Sequence, residues 1–213
     1  MAYRSLRDFL RLLEEKGRLS RVKAPVSPFL EITEIHTRLM AEGGPAVLFE
    51  NVVKADGGRY GMPVLANLFG TVERVAWGMG REPHQLREVG ETLAFLRQPE
   101  PPGGWREALE MLPLLKTVMA MKPRNVSTAP CQEVVLQGAD IDLSRLPIQT
   151  CWPGEPAPLI TWPLIVTRGP GKRREDDYNL GIYRMQVTGR NTTLMRWLKH
   201  RGGAQHHARW KGE

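Results

Sequence analysis

Between Gln98 and Gly104 the chain reads Gln-Pro-Glu-Pro-Pro-Gly-Gly. Proline fixes φ and removes a backbone donor while glycine frees the backbone, so such a run continues neither a helix nor a sheet ladder. It is a connector, and the residue pattern differs on its two sides.

Before it, Leu6, Phe9, Leu10 and Leu13 recur at helical spacing behind Ser5, with Asp8 placed for a capping box and Gly17 as the stop. A second helix is predicted from Pro28 to Ala41, with Ile32, Ile35 and Leu39 inward and Gly43-Gly44 after it. Ala46 to Phe49 and Pro63 to Ala66, bounded by glycine and asparagine, read as short buried strands. Thr71 to Gly78 and Pro83 to Arg97 are helical again. This is an α/β pattern.

Beyond the connector, Trp105 to Met121 is helical, with Leu109, Leu112 and Leu115 apolar and Pro113 interrupting. From Val126 the character changes. Val134 to Leu136, Leu159 to Arg168, Asn179 to Thr188 and Thr193 to Leu198 are strand-like, separated by proline- and glycine-rich turns. The expected class is α+β, with an N-terminal α/β domain over residues 1–124 and a β-rich domain over 125–213. A chain of 213 residues can bury about 70% of its unfolded surface, enough for two modest domains. The sequence has no internal repeat and no heptad. The last segment offers about four strands and no finishing element around Ala208 to Lys211, which predicts an N-terminal fragment of a longer polypeptide.

No apolar run approaches the roughly 20 residues of a membrane helix. Arg4, Arg7 and Asp8 stand where a signal peptide needs its apolar core. The expected location is the cytoplasm. Cys131 and Cys151 lie outside any CxxC or even framework, which reads as reduced, non-catalytic thiols. The net charge of +7 is confined to one end: residues 168–213 hold 11 basic and 4 acidic side chains, and the rest of the chain is balanced. Such a patch suits a solvated face, a nucleic-acid surface or a pocket for a phosphorylated ligand, and charge alone does not choose.

Strict alternation from Asn179 puts Leu180, Ile182, Arg184 and Gln186 on one face and Gly181, Tyr183, Met185 and Val187 on the other. An arginine in such a strand is most often solvated or salt-bridged, and Gly181 marks a bend or a close approach. Gly189-Arg190-Asn191 forms a hairpin loop that brings Arg196 back toward the same region. In His200-Arg201-Gly202-Gly203 the paired glycines leave N–H groups open to an anion and the arginine adds a phosphate-matched fork. The plainer reading is a turn with surface arginines. His206-His207 is discounted as a metal site, because adjacent residues do not point at one ion.

Several stretches resemble the UbiD family of decarboxylases: residues 6–10 (LRDFL), 30–35 (LEITEI), 44–46 (GPA), 67–71 (NLFGT), 129–132 (APCQ), 151–153 (CWP), 157–162 (APLITW), 179–184 (NLGIYR) and 195–198 (MRWL). They occur in the family's order across almost the whole chain. Each is weak alone, and nine in order are specific.

The resemblance implies that residues 125–213 begin a split β-barrel that binds prenylated FMN. It implies that Asn179 is a metal ligand for Mn²⁺ or a similar divalent cation, with His200 a further ligand and K⁺ an additional cation. It assigns Asn179, Ile182, Tyr183, Arg184, Arg196, Trp197, Leu198, Arg201 and Gly202 to the cofactor, and Arg184 also to catalysis, where it binds the substrate carboxylate. The family's acidic catalytic residues and its carboxylate metal ligand lie downstream of anything matching this chain.

One tension accompanies these roles. Asn179 and Arg184 are five apart, so alternation separates them unless Asn179 precedes the strand or Gly181 carries a bulge.

The implied function is non-oxidative decarboxylation of an aromatic acid, with 4-hydroxy-3-polyprenylbenzoate of ubiquinone biosynthesis as the expected substrate. Another aryl or α,β-unsaturated acid, or a flavin-binding barrel without activity, are the alternatives. Expected partners are the acid, a flavin prenyltransferase that supplies the cofactor, and further copies of the chain as a homo-oligomer. A lipophilic substrate would bring it to the inner membrane peripherally. Nucleic acid is not expected, because the apolar alternation argues for a packed barrel rather than a basic binding surface.

Overall fold

The backbone N–H groups of Arg4 and Ser5 donate to Asp8 Oδ2 at 3.0 and 3.2 Å, which starts helix α1 (Leu6–Glu15). In the computed structural model of the chain, residues 3–98, 103–120, 126–171 and 178–212 are described. Gly17 ends α1 at φ +64°, a left-handed conformation that glycine adopts without a Cβ penalty. Then come β1 (Leu19–Val22), α2 (Glu31–Ala41), β2 (Ala46–Phe49), β3 (Val64–Ala66) and α3 (Val72–Gly78). A 3-10 turn at Pro83–Gln85 leads into α4 (Leu86–Arg97), followed by α5 (Trp105–Glu110) and α6 (Leu112–Ala120). The later elements are β4 (Leu159–Ile160), β5 (Leu164–Arg168), β6 (Tyr178–Ile182), β7 (Met185–Gly189), β8 (Thr192–Met195) and α7 (Gly202–Lys211). The class is α+β, as the sequence predicts. No helix among the described residues is long and apolar enough to cross a membrane.

The chain divides into two compact units that interleave along the sequence: Met1–Val89 with Ile141–Pro163 and Arg184–Arg196, and Gly90–Asp140 with Leu164–Tyr183 and Trp197–Glu213. The expected boundary at residues 124 and 125 lies outside the described residues, as do Met121 at the end of the expected 105–121 helix and Pro99 to Pro102 of the connector.

In the first unit, β1 pairs parallel with β2, and β2 pairs antiparallel with β3. Alternation along β2 sends Val47 and Phe49 to a cluster with Ile32, Val26, Val52 and Val64, and Ala46 to a second cluster with Phe9 and Leu13. Each face of the sheet thus receives one helix, α2 or α1. A separate antiparallel sheet in this unit has the order β4-β7-β8.

Arg74 of α3 is buried at 1% exposure. Its guanidinium donates to the carbonyls of Leu68 (3.1 Å), Gly44 (2.9 Å) and Asn67 (3.0 Å). A buried cation is tolerated when each of its donors is satisfied, and here it ties the Gly44 turn to the Asn67–Gly70 loop.

In the second unit β5 and β6 form an antiparallel ribbon in regular register, with Thr167 opposite Asn179 and Ile165 opposite Gly181. Helix α7 packs on this ribbon, and Trp210 Nε1 donates to the Arg168 carbonyl at 2.9 Å. The other ribbon face carries Leu164, Val166, Leu180 and Ile182, all exposed.

Several expectations are corrected. Helix α2 begins at Glu31 rather than Pro28, because Phe29 forms a bridge with Thr150: Thr150 N–H donates to the Pro28 carbonyl and Leu30 N–H to the Thr150 carbonyl, and Leu30 turns at φ +63°. Val134 to Leu136 is an exposed irregular segment and not a strand, and no strand among the described residues pairs with it. Leu159 to Arg168 is two strands, divided at residues 161–163. Asn179 to Thr188 also divides, at Tyr183-Arg184, so its predicted alternation holds only as far as Tyr183. Thr193 to Leu198 leaves strand geometry after Met195. The Gly202-Gly203 pair opens helix α7 instead of a plain turn, and this finishing element was not legible in the sequence.

Candidate functional site

Asn179 lies within β6 on the face that meets α7. Its amide nitrogen donates to Thr167 Oγ1 at 3.2 Å and to Tyr183 Oη at 3.1 Å, which commits both amide hydrogens. The amide oxygen therefore faces the other way, against Gly202 at the start of α7. A β-carbon on Gly202 would overlap this oxygen, so glycine is what leaves room for it. Among the described residues nothing donates a hydrogen bond to Asn179 Oδ1.

Tyr183 closes the arrangement. Its hydroxyl also accepts the Gly203 N–H at 2.9 Å, its ring stacks on Trp197 at 5.2 Å, and Trp197 stacks on His207 at 5.9 Å. Gly203 is buried against the Trp197 ring. Tyr183 reaches back to Asn179 because Gly181 has no side chain: a β-carbon there would sit 2.5 Å from the Tyr183 ring. His206 Nδ1 lies 3.0 Å from Thr167 Oγ1. His206 and His207 thus point at different partners, and no group of three His, Cys, Asp or Glu among the described residues is arranged for a metal.

Of the residues singled out from the sequence, Asn179, Tyr183, Trp197 and Gly202 come together here. Arg201 is the exposed N-cap of α7, and His200 is exposed with its carbonyl accepting Gln205 Nε2 at 3.3 Å. Arg201 beside a helix N-terminus offers a cation and a positive dipole end, which suits a phosphate. Ile182 and Leu198 are exposed, Ile182 on the outer ribbon face.

Arg184 and Arg196 belong to the other unit. Arg184 is exposed and lies over the Trp152 ring, 5.9 Å from its centre. Trp152 is held by a tight turn in which Glu155 Oε2 accepts the N–H groups of Cys151 (2.7 Å) and Trp152 (3.3 Å). No carboxylate among the described residues pairs with Arg184, so its charge is open to an anionic ligand. Arg196 is exposed just after β8. Neither expected way of bringing Asn179 and Arg184 together is found, and the two residues fall in different units. Asn179 sits inside a regular strand that ends before Arg184, and the register shift falls at Val187/Gly189. Thr167 and Trp152 were given no role, because theirs depend on strand register and ring packing that spacing does not reveal, and the Gly203 N–H, expected to be open to an anion, is taken by Tyr183 Oη.

A prenylated flavin phosphate and a divalent cation fit these residues. A hard cation prefers oxygen donors, and Asn179 presents one amide oxygen to which nothing among the described residues donates.

Two family models match the chain: the 3-octaprenyl-4-hydroxybenzoate carboxy-lyase N-terminal domain over residues 10–93, and the Rift-related domain of the same carboxy-lyase over residues 123–213. Solved structures of the same class resemble it. The UbiD-class enzyme HmfF from Pelotomaculum thermopropionicum, in an evolved dimeric form in complex with prFMN, is 30% identical over 92% of this chain and 39% of its own, with a TM-score of 0.68. Vanillic acid decarboxylase of Sedimentibacter hydroxybenzoicus in closed form is 26% identical over 96% of this chain and 39% of its own, with a TM-score of 0.70. The apo 3,4-dihydroxybenzoic acid decarboxylase of Klebsiella pneumoniae is 25% identical over 92% of this chain and 37% of its own, with a TM-score of 0.67. The chain belongs to the UbiD family, whose matched domains are those of a carboxy-lyase. It spans about 39% of the length of the HmfF chain.

Proposed function

We propose that this chain carries the N-terminal domain and the first part of the cofactor domain of a non-oxidative aromatic-acid decarboxylase that uses prenylated FMN and a Mn²⁺-type cation. The observation that carries the reading is the bare Asn179 Oδ1, aimed at the α7 N-terminus by two committed amide hydrogens. The family models over residues 10–93 and 123–213 support a division near residue 124 into an α/β domain and a split-barrel domain.

In this reading Asn179, with His200, holds the cation. Arg201 and the first turn of α7 hold the cofactor phosphate, and Tyr183 and Trp197 supply an aromatic wall. Ile182, Leu198 and Arg196 complete the cofactor's surroundings, and K⁺ is a further candidate cation. Bound there, the prenylated flavin would supply the electron sink that loss of CO₂ from an sp² carbon requires. Arg184 binds the substrate carboxylate as a charge-assisted pair and orients the acid, while its stacking on Trp152 keeps the guanidinium extended. A carboxyl group supplied by another part of the longer protein returns the proton.

The substrate proposed is 4-hydroxy-3-polyprenylbenzoate, yielding 2-polyprenylphenol for ubiquinone. The relatives named for vanillic and 3,4-dihydroxybenzoic acid support a second reading, in which the acid is a smaller phenolic one. A flavin prenyltransferase as cofactor supplier, a homo-oligomeric cytoplasmic enzyme and peripheral contact with the inner membrane belong to the first reading.

Asn179→Ala in the longer protein tests the site. Mn²⁺ and flavin retention should fall together, because each holds the other in place. Retention of both at wild-type levels would remove Asn179 from the site. Turnover of prenylated against unprenylated hydroxybenzoates then separates the two substrate readings.

A further inference from the structure

Thr167 has no role in the reading above, yet its hydroxyl stands between Asn179 and His206. It stands directly opposite Asn179 in the β5–β6 register, and its Oγ1 accepts the Asn179 amide at 3.2 Å. A threonine hydroxyl has one hydrogen and two lone pairs, so accepting from Asn179 leaves the hydrogen to be placed. His206 Nδ1, on the facing turn of α7, lies 3.0 Å from the same oxygen. Tyr183 Oη is likewise engaged as an acceptor, because the Gly203 N–H can only donate.

We propose that Thr167, its hydroxyl hydrogen taken by an unprotonated Nδ1 of His206, is a positioning residue that fixes the Asn179 amide with its oxygen toward the cation. With its hydrogen given to His206, Thr167 Oγ1 can only accept from the amide, so a flipped amide would set oxygen against oxygen there. The α7 helix then delivers three parts of one device: Gly202 makes room for the amide oxygen, Gly203 fixes Tyr183, and His206 fixes Thr167. The proposal rests on Asn179 being a cation ligand, and the test separates the two claims.

The probe is Mn²⁺ titrated into the longer protein with FMN present. Two quantities are followed by nuclear magnetic resonance: broadening of the Asn179 side-chain amide pair, and solvent exchange of those two hydrogens before metal is added. Thr167→Val keeps the β-branched shape and loses the hydroxyl. It should speed exchange of one amide hydrogen and weaken Mn²⁺ binding by roughly 10–100-fold, the usual effect of losing a group that orients a ligand. Thr167→Ser should restore both, and His206→Phe should shift both in the direction of Val. Wild-type Mn²⁺ affinity and amide exchange in Thr167→Val would overturn the proposal, as would a Ser variant that behaves like Val. If Mn²⁺ fails to broaden Asn179 in the wild type, the ligand reading fails by itself. Amide exchange then decides whether Thr167 orients Asn179.

Discussion

The ring of Tyr183, the first residue beyond β6, lies over the α-carbon of Gly181 two residues earlier, with no space for a side chain between them. This approach lets the Tyr183 hydroxyl reach both Asn179 and the first turn of α7. Gly181→Ala should therefore push the ring aside and release Asn179. Overpacking of this kind costs about 1–3 kcal/mol. The expected result is a lower urea midpoint together with loss of the Tyr183–Trp197 stacking signal in near-UV circular dichroism. An unchanged spectrum would show that the ring has room to yield.

Arg184→Ala in the longer enzyme should abolish most turnover and leave the fold intact, because the side chain is exposed and lies over the Trp152 ring. Losing a charge-assisted bond to a carboxylate costs roughly 1.5–3 kcal/mol, a factor of about ten to over a hundred in rate. The check is kcat/KM beside the thermal midpoint, and near-normal activity would remove Arg184 from the site.

Arg74→Met should be among the most destabilising single changes in the first unit. It strips three carbonyls of their only guanidinium donor in a buried place, at about 3 kcal/mol or more. Arg74→Lys should recover only part of the loss, because one ammonium cannot span the fork of acceptors. Urea denaturation curves measure both.

Burial lowers the pKa of the His36 imidazole. The unfolded side chain, near 6.5, takes up a proton that the folded one resists, so this contribution is full above about pH 6.5 and is lost as pH falls below it. The thermal midpoint of the wild type should drop between about pH 7.5 and about pH 5.5 more than that of His36→Gln. Equal drops would assign the pH dependence to other groups.

The two thiols should differ in reactivity. Cys131 is exposed, whereas burial raises the pKa of the half-buried Cys151. Iodoacetamide at about pH 8 should alkylate Cys131 first, read by peptide mass spectrometry. Faster labelling of Cys151 would mean that its turn opens readily.

Much was legible before the structure. Local signals placed α1, α2, β2, β3, α3 and α4 within a few residues, because capping residues, apolar spacing and glycine stops act over one or two turns. The hairpin at Arg190-Asn191 followed from the same kind of signal. The family motifs brought Asn179, Tyr183, Trp197 and Gly202 forward as one set, and these four do meet in the second unit.

What the sequence determined by itself was therefore whatever depends on neighbours in the chain: which segments are helical, which are extended, where the glycines break them, and which family the ordered motifs resemble. The tertiary structure alone decided the rest. Residues 28–30 stay outside helix α2 because Thr150, far along the chain, pairs with them. The run from Asn179 to Thr188 became two strands because its halves pair with different partners, β5 and β4. Thr167 stands opposite Asn179 only because the β5–β6 register puts it there. A backbone donor is satisfied by whatever acceptor folding brings near, and that choice is made by the whole chain.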